Sequence, residues 1–188
     1  CRNSIYIASN LKTKRYSLHA GFYIDPTLEM LGKAWNGDIK NTSGNLDIFL
    51  ESLNKLLTFA KSLGVELYIE NNVVVEKNYR NGNCLLMATS MSEMKSIKEE
   101  TGVKLLVDVG HLVVSAKTLG LNEELELKLA SRYGDAYHIS DNNRLADQNK
   151  AIISDSLVLN GVSKEADFYT LEIYEEIELI RSSYDYLN

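Results

Sequence analysis

Polar side chains interrupt or end five short apolar stretches of this sequence. His19, Glu70, Asp108, His138 and Glu172 each lie within or at the C-terminal part of such a stretch. A carboxylate buried in an apolar run is costly unless it is paired or bound to a metal. Carboxylates gathered in one place also repel one another, and a divalent cation removes that repulsion. One buried glutamate is more often a satisfied structural residue, but the repeated placement indicates a metal site.

The residue types in this set suit a divalent metal ion. Carboxylate and imidazole groups together bind Mn²⁺, Mg²⁺, Co²⁺ or Zn²⁺, and the sequence does not choose among them. All three histidines of the chain belong to the set, because His111 completes an Asp-Val-Gly-His motif. The loop after His138 adds Arg144 and the segment Asp147-Gln-Asn149. This concentration of polar groups makes the loop a stronger signal than the Asp-Val-Gly-His motif alone.

Helix and strand signals alternate along the chain and position these residues. Apolar residues at helical spacing predict helices that end before Gly64, Gly102 and Gly134. Short unbroken apolar runs between them predict strands. Residues 25–45, which include Trp35, predict a long loop or a loop with a short helix. The predicted helices are 46–63, 92–101, 122–133 and 175–187, and the predicted strands are 16–23, 65–70, 103–108, 136–140 and 168–173.

The alternation of strands and helices predicts an α/β fold with a parallel sheet. Each helix crosses back over the sheet, and strands without polar alternation are buried on both faces. Five strands fit either an open doubly wound sheet or part of an eight-stranded barrel. In parallel sheets and barrels, the C-terminal edge hosts the active site. We find no linker, so we expect a single domain over residues 1–188.

The composition excludes several classes of function. Apolar residues make up 45% and charged residues 24% of the 188 positions, which is ordinary for a globular domain. No run approaches the roughly 18 apolar residues of a membrane-spanning helix. The net charge of −6 disfavours broad attraction to nucleic acid. Cys1 and Cys84 are too few for a disulfide framework, so we expect a reduced, cytoplasmic setting.

Five motifs resemble those of the xylose-isomerase-like barrel superfamily, in the same order along residues 5–187. The branch of sugar-phosphate isomerases, sugar epimerases and ketose 3-epimerases is the most similar. The resemblance implies a (β/α)₈ fold of the TIM-barrel type, in which these segments are strands four to eight. The motifs are Ser-Leu-His19-Ala-Gly-Phe, Ile-Glu70-Asn-Asn, Val-Asp108-Val-Gly-His111, His138-Ile-Ser-Asp-Asn and Leu-Glu172-Ile.

The resemblance also implies a site and a reaction. It implies that one divalent metal ion binds to four ligands, and that His19, His111 and Arg144 bind the oxygens of a sugar or sugar phosphate. Two of the ligands, Glu70 and Glu172, would transfer the proton beside the substrate carbonyl through an enediolate, as base and acid. The four implied metal ligands are Glu70, Asp108, His138 and Glu172.

The chain departs from the superfamily pattern in its number of strands. A barrel of this kind has roughly 250 residues, and the first three strands have no counterpart here. We therefore expect either a missing N-terminal segment or homo-oligomer contacts across the open sheet edges.

Two alternative functions remain open. One is a zinc nuclease like the superfamily's abasic-site endonuclease, whose pattern adds ligands at His19, His111 and an Asp-x-His pair. Here that pair reads Asp147-Gln-Asn149, and the acidic net charge disfavours a DNA footprint. The other alternative is a non-catalytic barrel remnant, either metal-binding or degenerate, that acts as a partner subunit.

Overall fold

A parallel five-stranded sheet forms the centre of the fold. The computed structural model describes residues 1–24, 44–80 and 83–187. Adjacent strands of the sheet pair in the order β1-β2-β5-β6-β7, and every pair is parallel. A two-stranded antiparallel hairpin, β3-β4, lies outside it. The strands are β1 (Arg15–His19), β2 (Glu66–Glu70), β3 (Tyr79–Arg80), β4 (Asn83–Cys84), β5 (Lys104–Asp108), β6 (Ala136–Ile139) and β7 (Tyr169–Leu171).

Helices connect β1 to β2, β2 to β5 and β5 to β6 and cover one face of the sheet, and a 3₁₀-helix, Leu157–Gly161, lies between β6 and β7. The three helices predicted to end before Gly64, Gly102 and Gly134 do so, and Gly102 adopts a left-handed conformation after α3 with a φ of 72°. Asn122 caps α5 as predicted, because its side chain accepts a hydrogen bond from the Leu125 amide. The helices are α1 (Arg2–Asn10), α2 (Asn45–Ser62), α3 (Met91–Thr101), α4 (Val109–Leu119), α5 (Glu123–Tyr133) and α6 (Ile177–Asp185).

Three sequence predictions differ from the structure. The strand predicted over 16–23 ends at His19, and Phe22 beyond it forms an isolated bridge with Leu86. The strand predicted over 168–173 ends at Leu171, so Glu172 follows the strand directly. Helix α4 was not predicted. The predicted loop at 25–45, with Trp35, falls mostly outside the described residues.

The two faces of the sheet have different surroundings. The main hydrophobic core lies between the sheet and its helices and includes Leu67, Ile69, Leu105 and Val107. The residues between these positions point to the other face. There a small cluster of Tyr68, Leu106 and Ala136, with Phe168 packed against it, forms a second core. Two-residue periodicity then places Glu70, Asp108 and His138 on the same face as this cluster, at the C-terminal edge.

This architecture confirms the predicted fold class as an incomplete barrel of the (β/α) type. The structure contains a parallel half-barrel whose helices lie on one side. Within the described residues, no helix is long and apolar enough to span a membrane. The assignment of residues 1–188 to a single domain stays a prediction.

Candidate metal centre

Four side chains meet at the C-terminal edge of the sheet. Glu70 and Asp108 are the last residues of β2 and β5, His138 lies in β6, and Glu172 follows β7. Each offers a ligand atom, and these atoms all lie within 4.8 Å of one another. The Nδ1 atom of His138 lies 3.0 Å from both Glu70 Oε1 and Glu172 Oε2. The structure thus brings together the four residues that the family resemblance implied as ligands.

Asp108 is the most buried member of the cluster. The residue has no exposed surface, and its Oδ1 accepts a hydrogen bond of 2.8 Å from the amide of His111. Its Oδ2 is buried without a hydrogen-bond partner among the described residues. Burial raises the pKa of Asp108 to about 6, although the nearby His111 favours the ionised form. This Oδ2 oxygen faces two carboxylates and an imidazole. A buried carboxylate oxygen without a hydrogen-bond partner in such surroundings is typical of a metal ligand.

Glu70 is buried too, but its surroundings favour the charged carboxylate. Burial acts to raise its pKa, but the hydrogen bond from His138 and the charges of His138, His19 and His111 outweigh burial. The pKa of Glu70 therefore lies below its ordinary value. For His138, burial acts to lower the pKa, but the hydrogen bond and charge of Glu70 raise it above the usual range. The raised pKa favours a protonated imidazole at His138, between the carboxylates of Glu70 and Glu172.

Asn71 fixes the backbone beside the centre. Its Oδ1 accepts a hydrogen bond of 2.7 Å from the amide of Asp108, and its Nδ2 donates to the Asp108 carbonyl at 3.0 Å. These two bonds join the ends of β2 and β5 just where both carry a carboxylate. The Asn-Asn pair after Glu70 was only a weak signal in the sequence. The structure gives Asn71 the role of aligning two strand ends.

Gly110 explains the spacing of the Asp-Val-Gly-His motif. A Cβ atom at this position would lie 2.8 Å from Ser140 Oγ and 3.2 Å from Asp108 Oδ1. A larger residue would have to displace these two side chains, so glycine lets α4 begin this close to the end of β6. Asp108 caps that helix, and the helix start places His111 over the site.

His111 and His19 lie next to the four-residue cluster. His111 Nε2 lies 3.2 Å from Asp147 Oδ2, and its Nδ1 lies 3.1 Å from the carbonyl of Asn71. Burial acts to lower the pKa of His111, but Asp147 and the charge of Asp108 raise it to about 9. The rings of His19 and His111 stack with their centroids 5.7 Å apart. A second potential ligand group, which shares Glu70 with the first, consists of His19, Glu70 and His111.

Arg144 is the one predicted site residue that the structure does not bring to this cluster. Its Nε lies 3.0 Å from Glu123 Oε2, and its side chain is 47% exposed. Its backbone has a φ of 64°, in the left-handed region. Within the described chain, its only ion pair is the one with Glu123. The local loop conformation decides this placement, and the spacing from His138 does not reveal it.

Two residues outside the predicted ligand and substrate-binding set contact the site. Asp147 contacts His111, and its Oδ1 is buried without a hydrogen-bond partner among the described residues. Tyr174 donates a hydrogen bond of 2.9 Å to Glu172 Oε1. The position of Tyr174, two residues after Glu172 in extended chain, was the available signal, since such residues point to the same side.

The residues present fit a divalent cation. Three carboxylates and one imidazole form a mixed oxygen and nitrogen donor set. Such a set suits Mn²⁺, Mg²⁺, Co²⁺ or Zn²⁺. A second observation that supports a bound cation is the buried Oδ2 of Asp108, which has no hydrogen-bond partner among the described residues.

The half-barrel and the polar cluster at its C-terminal edge define a barrel protein of the (β/α) class. The sequence profile of the family described as xylose isomerase-like TIM barrel matches residues 1–165. The chain belongs to this family. No curated protein matches the chain significantly.

Solved structures of similar fold include sugar epimerases. A D-tagatose 3-epimerase-like protein is 18% identical, with a TM-score of 0.69 over 99% of this chain and 66% of that one. A Thermus thermophilus protein, from a crystal soaked with ZnCl₂, is 19% identical, with a TM-score of 0.62 over 99% and 64%. D-psicose 3-epimerase of Clostridium cellulolyticum, solved with D-tagatose, is 14% identical, with a TM-score of 0.57 over 99% and 67%. The chain thus spans about two thirds of the length of these proteins.

Proposed function

We propose that this chain carries the metal centre of a sugar or sugar-phosphate isomerase or epimerase that depends on one divalent ion. The observation that supports this most is the convergence of Glu70, Asp108, His138 and Glu172, where the buried Oδ2 of Asp108 has no hydrogen-bond partner in the described part of the chain. The fold likeness to sugar epimerases supports the choice of reaction class. The activity, the sugar substrate and the cytoplasmic setting are all parts of this proposal.

In this proposal the two glutamates act on opposite faces of a bound sugar. Glu70 comes from β2 and Glu172 follows β7, so they approach His138 from opposite sides of the sheet order. A bound divalent cation would supply a Lewis acid for the substrate carbonyl. One glutamate removes the proton next to that carbonyl, and the other returns a proton from the opposite face. This exchange of faces inverts the carbon and amounts to epimerisation.

The histidines and the arginine hold the substrate oxygens in this proposal. His111 is fixed by Asn71 and Asp147, so its ring has a defined orientation over the centre. His19 stacks beside it and is half exposed, which leaves it open to a ligand. Arg144 binds substrate only after it leaves Glu123. Its role in substrate binding therefore stays a prediction, and it requires that the ion pair with Glu123 breaks.

The proposal is tested by proton exchange in deuterated water. The metal-loaded protein is incubated with a panel of ketoses and ketose phosphates, and deuterium incorporation next to the carbonyl is followed by NMR. We expect Glu172→Gln to lower the exchange rate by at least about 100-fold, the usual effect of losing a general acid or base. Glu178→Gln, an exposed glutamate on α6, is the matched control and should exchange normally. Normal exchange in Glu172→Gln would refute the assigned role.

A second candidate is a hydrolytic centre with more than one zinc ion, as in the abasic-site endonuclease branch. The group of His19, Glu70 and His111 favours it, because it shares Glu70 with the first group. However, Asn149 replaces the second histidine of the Asp-x-His pair, and it is buried with Oδ1 bonded to Ser140. Binding of two or more zinc ions together with cleavage of abasic DNA would select this candidate. Binding far below one equivalent of any metal would instead select the non-catalytic remnant.

A further inference from the structure

The segment that follows β7 is fixed by hydrogen bonds at several points. The amide of Glu172 donates to the carbonyl of Ile139 at 3.1 Å, and the amide of Tyr174 donates to the carbonyl of Asn149 at 2.9 Å. The carboxylate of Glu175 accepts a hydrogen bond of 2.6 Å from the amide of Ala151. The chain after β7 is thus tied to β6 and to the loop that follows β6. It forms a rigid support for the side chains it carries.

Glu172 and Tyr174 project from this support toward the same side. Ile173 between them is buried, with 6% of its surface exposed, so its neighbours point away from the core. The side chain of Glu172 is itself 28% exposed, so burial alone does not hold its carboxylate. Rotation of such a carboxylate is restricted chiefly by the hydrogen bonds that its two oxygens make.

The two oxygens of Glu172 have different partners. Oε2 lies 3.0 Å from His138 Nδ1, inside the candidate metal centre. Oε1 accepts a hydrogen bond of 2.9 Å from the phenol of Tyr174. Tyr174 is 73% exposed, so the ring adds little to the core, and its visible contribution is this bond. The phenol also satisfies Oε1 without adding a charge to a cluster that already holds three carboxylates.

We infer that Tyr174 is a positioning residue for the metal centre: its hydroxyl holds Oε1 of Glu172 outward and so directs Oε2 to the metal. This inference rests on the proposed function, because it needs a metal at the four-residue cluster. Partners that orient a metal ligand in this way commonly change metal affinity by about 10- to 100-fold when removed. The exposed position of Tyr174 places it at the lower end of that range.

The test is a titration of the metal-free full chain with Mn²⁺, followed by the loss of the free Mn²⁺ signal in electron paramagnetic resonance. We expect Tyr174→Phe to bind Mn²⁺ about tenfold more weakly than the wild type. Tyr6→Phe changes another exposed tyrosine, on α1, and should bind like the wild type. Because Tyr174→Phe removes one exposed oxygen atom, its melting temperature should stay close to that of the wild type.

A double-mutant cycle shows whether the effect passes through Glu172. In a Glu172→Ala background the phenol has no carboxylate to orient, so Tyr174→Phe should change the affinity less than twofold. Titration with Zn²⁺ as well as Mn²⁺ keeps the weakened variants measurable, since Zn²⁺ binds more tightly to such ligands. An equal loss in both backgrounds, or no loss in Tyr174→Phe, would overturn the inference and leave the centre in place. A wild type that binds neither ion would overturn the centre and the inference together.

Discussion

Replacing Asp108 with asparagine should stabilise the metal-free protein while it destroys the metal site. Burial raises the pKa of Asp108 from an ordinary value of 3.8 to about 6. Because the folded state binds this proton more tightly than the unfolded state, the contribution to stability is full below about pH 4 and is lost as pH rises through about 6. At pH 7.5 the ionised carboxylate therefore costs the folded state on the order of 3 kcal/mol.

The contacts of Asp108 determine how much Asp108→Asn stabilises the metal-free protein. Asparagine has the same shape, and its Oδ1 can still accept the hydrogen bond from the His111 amide, so the cap of α4 survives. Its Nδ2 takes the place of the unpartnered Oδ2 and faces the carboxylates of the cluster. The attraction between Asp108 Oδ2 and His111 Nε2, 3.8 Å apart, is lost and offsets part of the gain. We expect a net stabilisation of about 2 kcal/mol, or about 5 °C in melting temperature.

Thermal melts of metal-free protein at two pH values check this prediction. Asp108→Asn should melt higher than the wild type at pH 7.5, and the difference should vanish near pH 4. Added Mn²⁺ should raise the melting temperature of the wild type and leave that of the variant unchanged. A variant that is less stable than the wild type at pH 7.5 without metal would refute the reasoning, as would a variant that Mn²⁺ still stabilises.

Two further substitutions test the surroundings of the centre. Gly110→Ala should destabilise the protein by about 1–3 kcal/mol and weaken metal binding, because its Cβ would lie 2.8 Å from Ser140 Oγ. Thermal melts and Mn²⁺ titration check this, with Gly44→Ala as the control, since no atom of the described residues lies within 4 Å of a Cβ there. Asp147→Asn should lower the pKa of His111 from about 9. Protonated His111 stabilises the metal-free protein below about pH 6.5, and this stability is lost as pH rises through about 9. The variant should lose less stability over that pH range, and an unchanged His111 titration by NMR would contradict the assignment.

The sheet could be predicted from sequence because polar residues mark the ends of its apolar strands. An apolar run that stops at Glu70 or Asp108 marks both the strand and the edge where it ends. The helix ends at Gly102 and Asn122 followed from the conformations and caps that these residues favour. These signals are local, and neighbouring residues suffice to read them.

Helix α4 escaped prediction because its sequence lacks a polar face. All residues from Val109 to Ala116 are buried, so no periodic alternation marks the helix. A short, wholly apolar run cannot be assigned to helix or strand by periodicity alone. The structure was needed to identify this segment as a helix between β5 and α5.

The side-chain pairings of the site depend on contacts that are distant in sequence. Arg144 meets Glu123, and His111 meets Asp147, across loops whose conformation the spacing does not reveal. The left-handed backbone of Arg144 directs its side chain, and a six-residue separation from His138 says nothing about that direction. Residue types therefore predicted the class of site, while the partners of each residue required the structure.

The most direct test of the central claim is anomalous diffraction from crystals of this chain soaked with Mn²⁺. We predict one peak at full occupancy, at about 2.0–2.4 Å from ligand atoms of Glu70, Asp108, His138 and Glu172. A peak that lies elsewhere, or the absence of any peak at this edge of the sheet, would contradict the proposed centre.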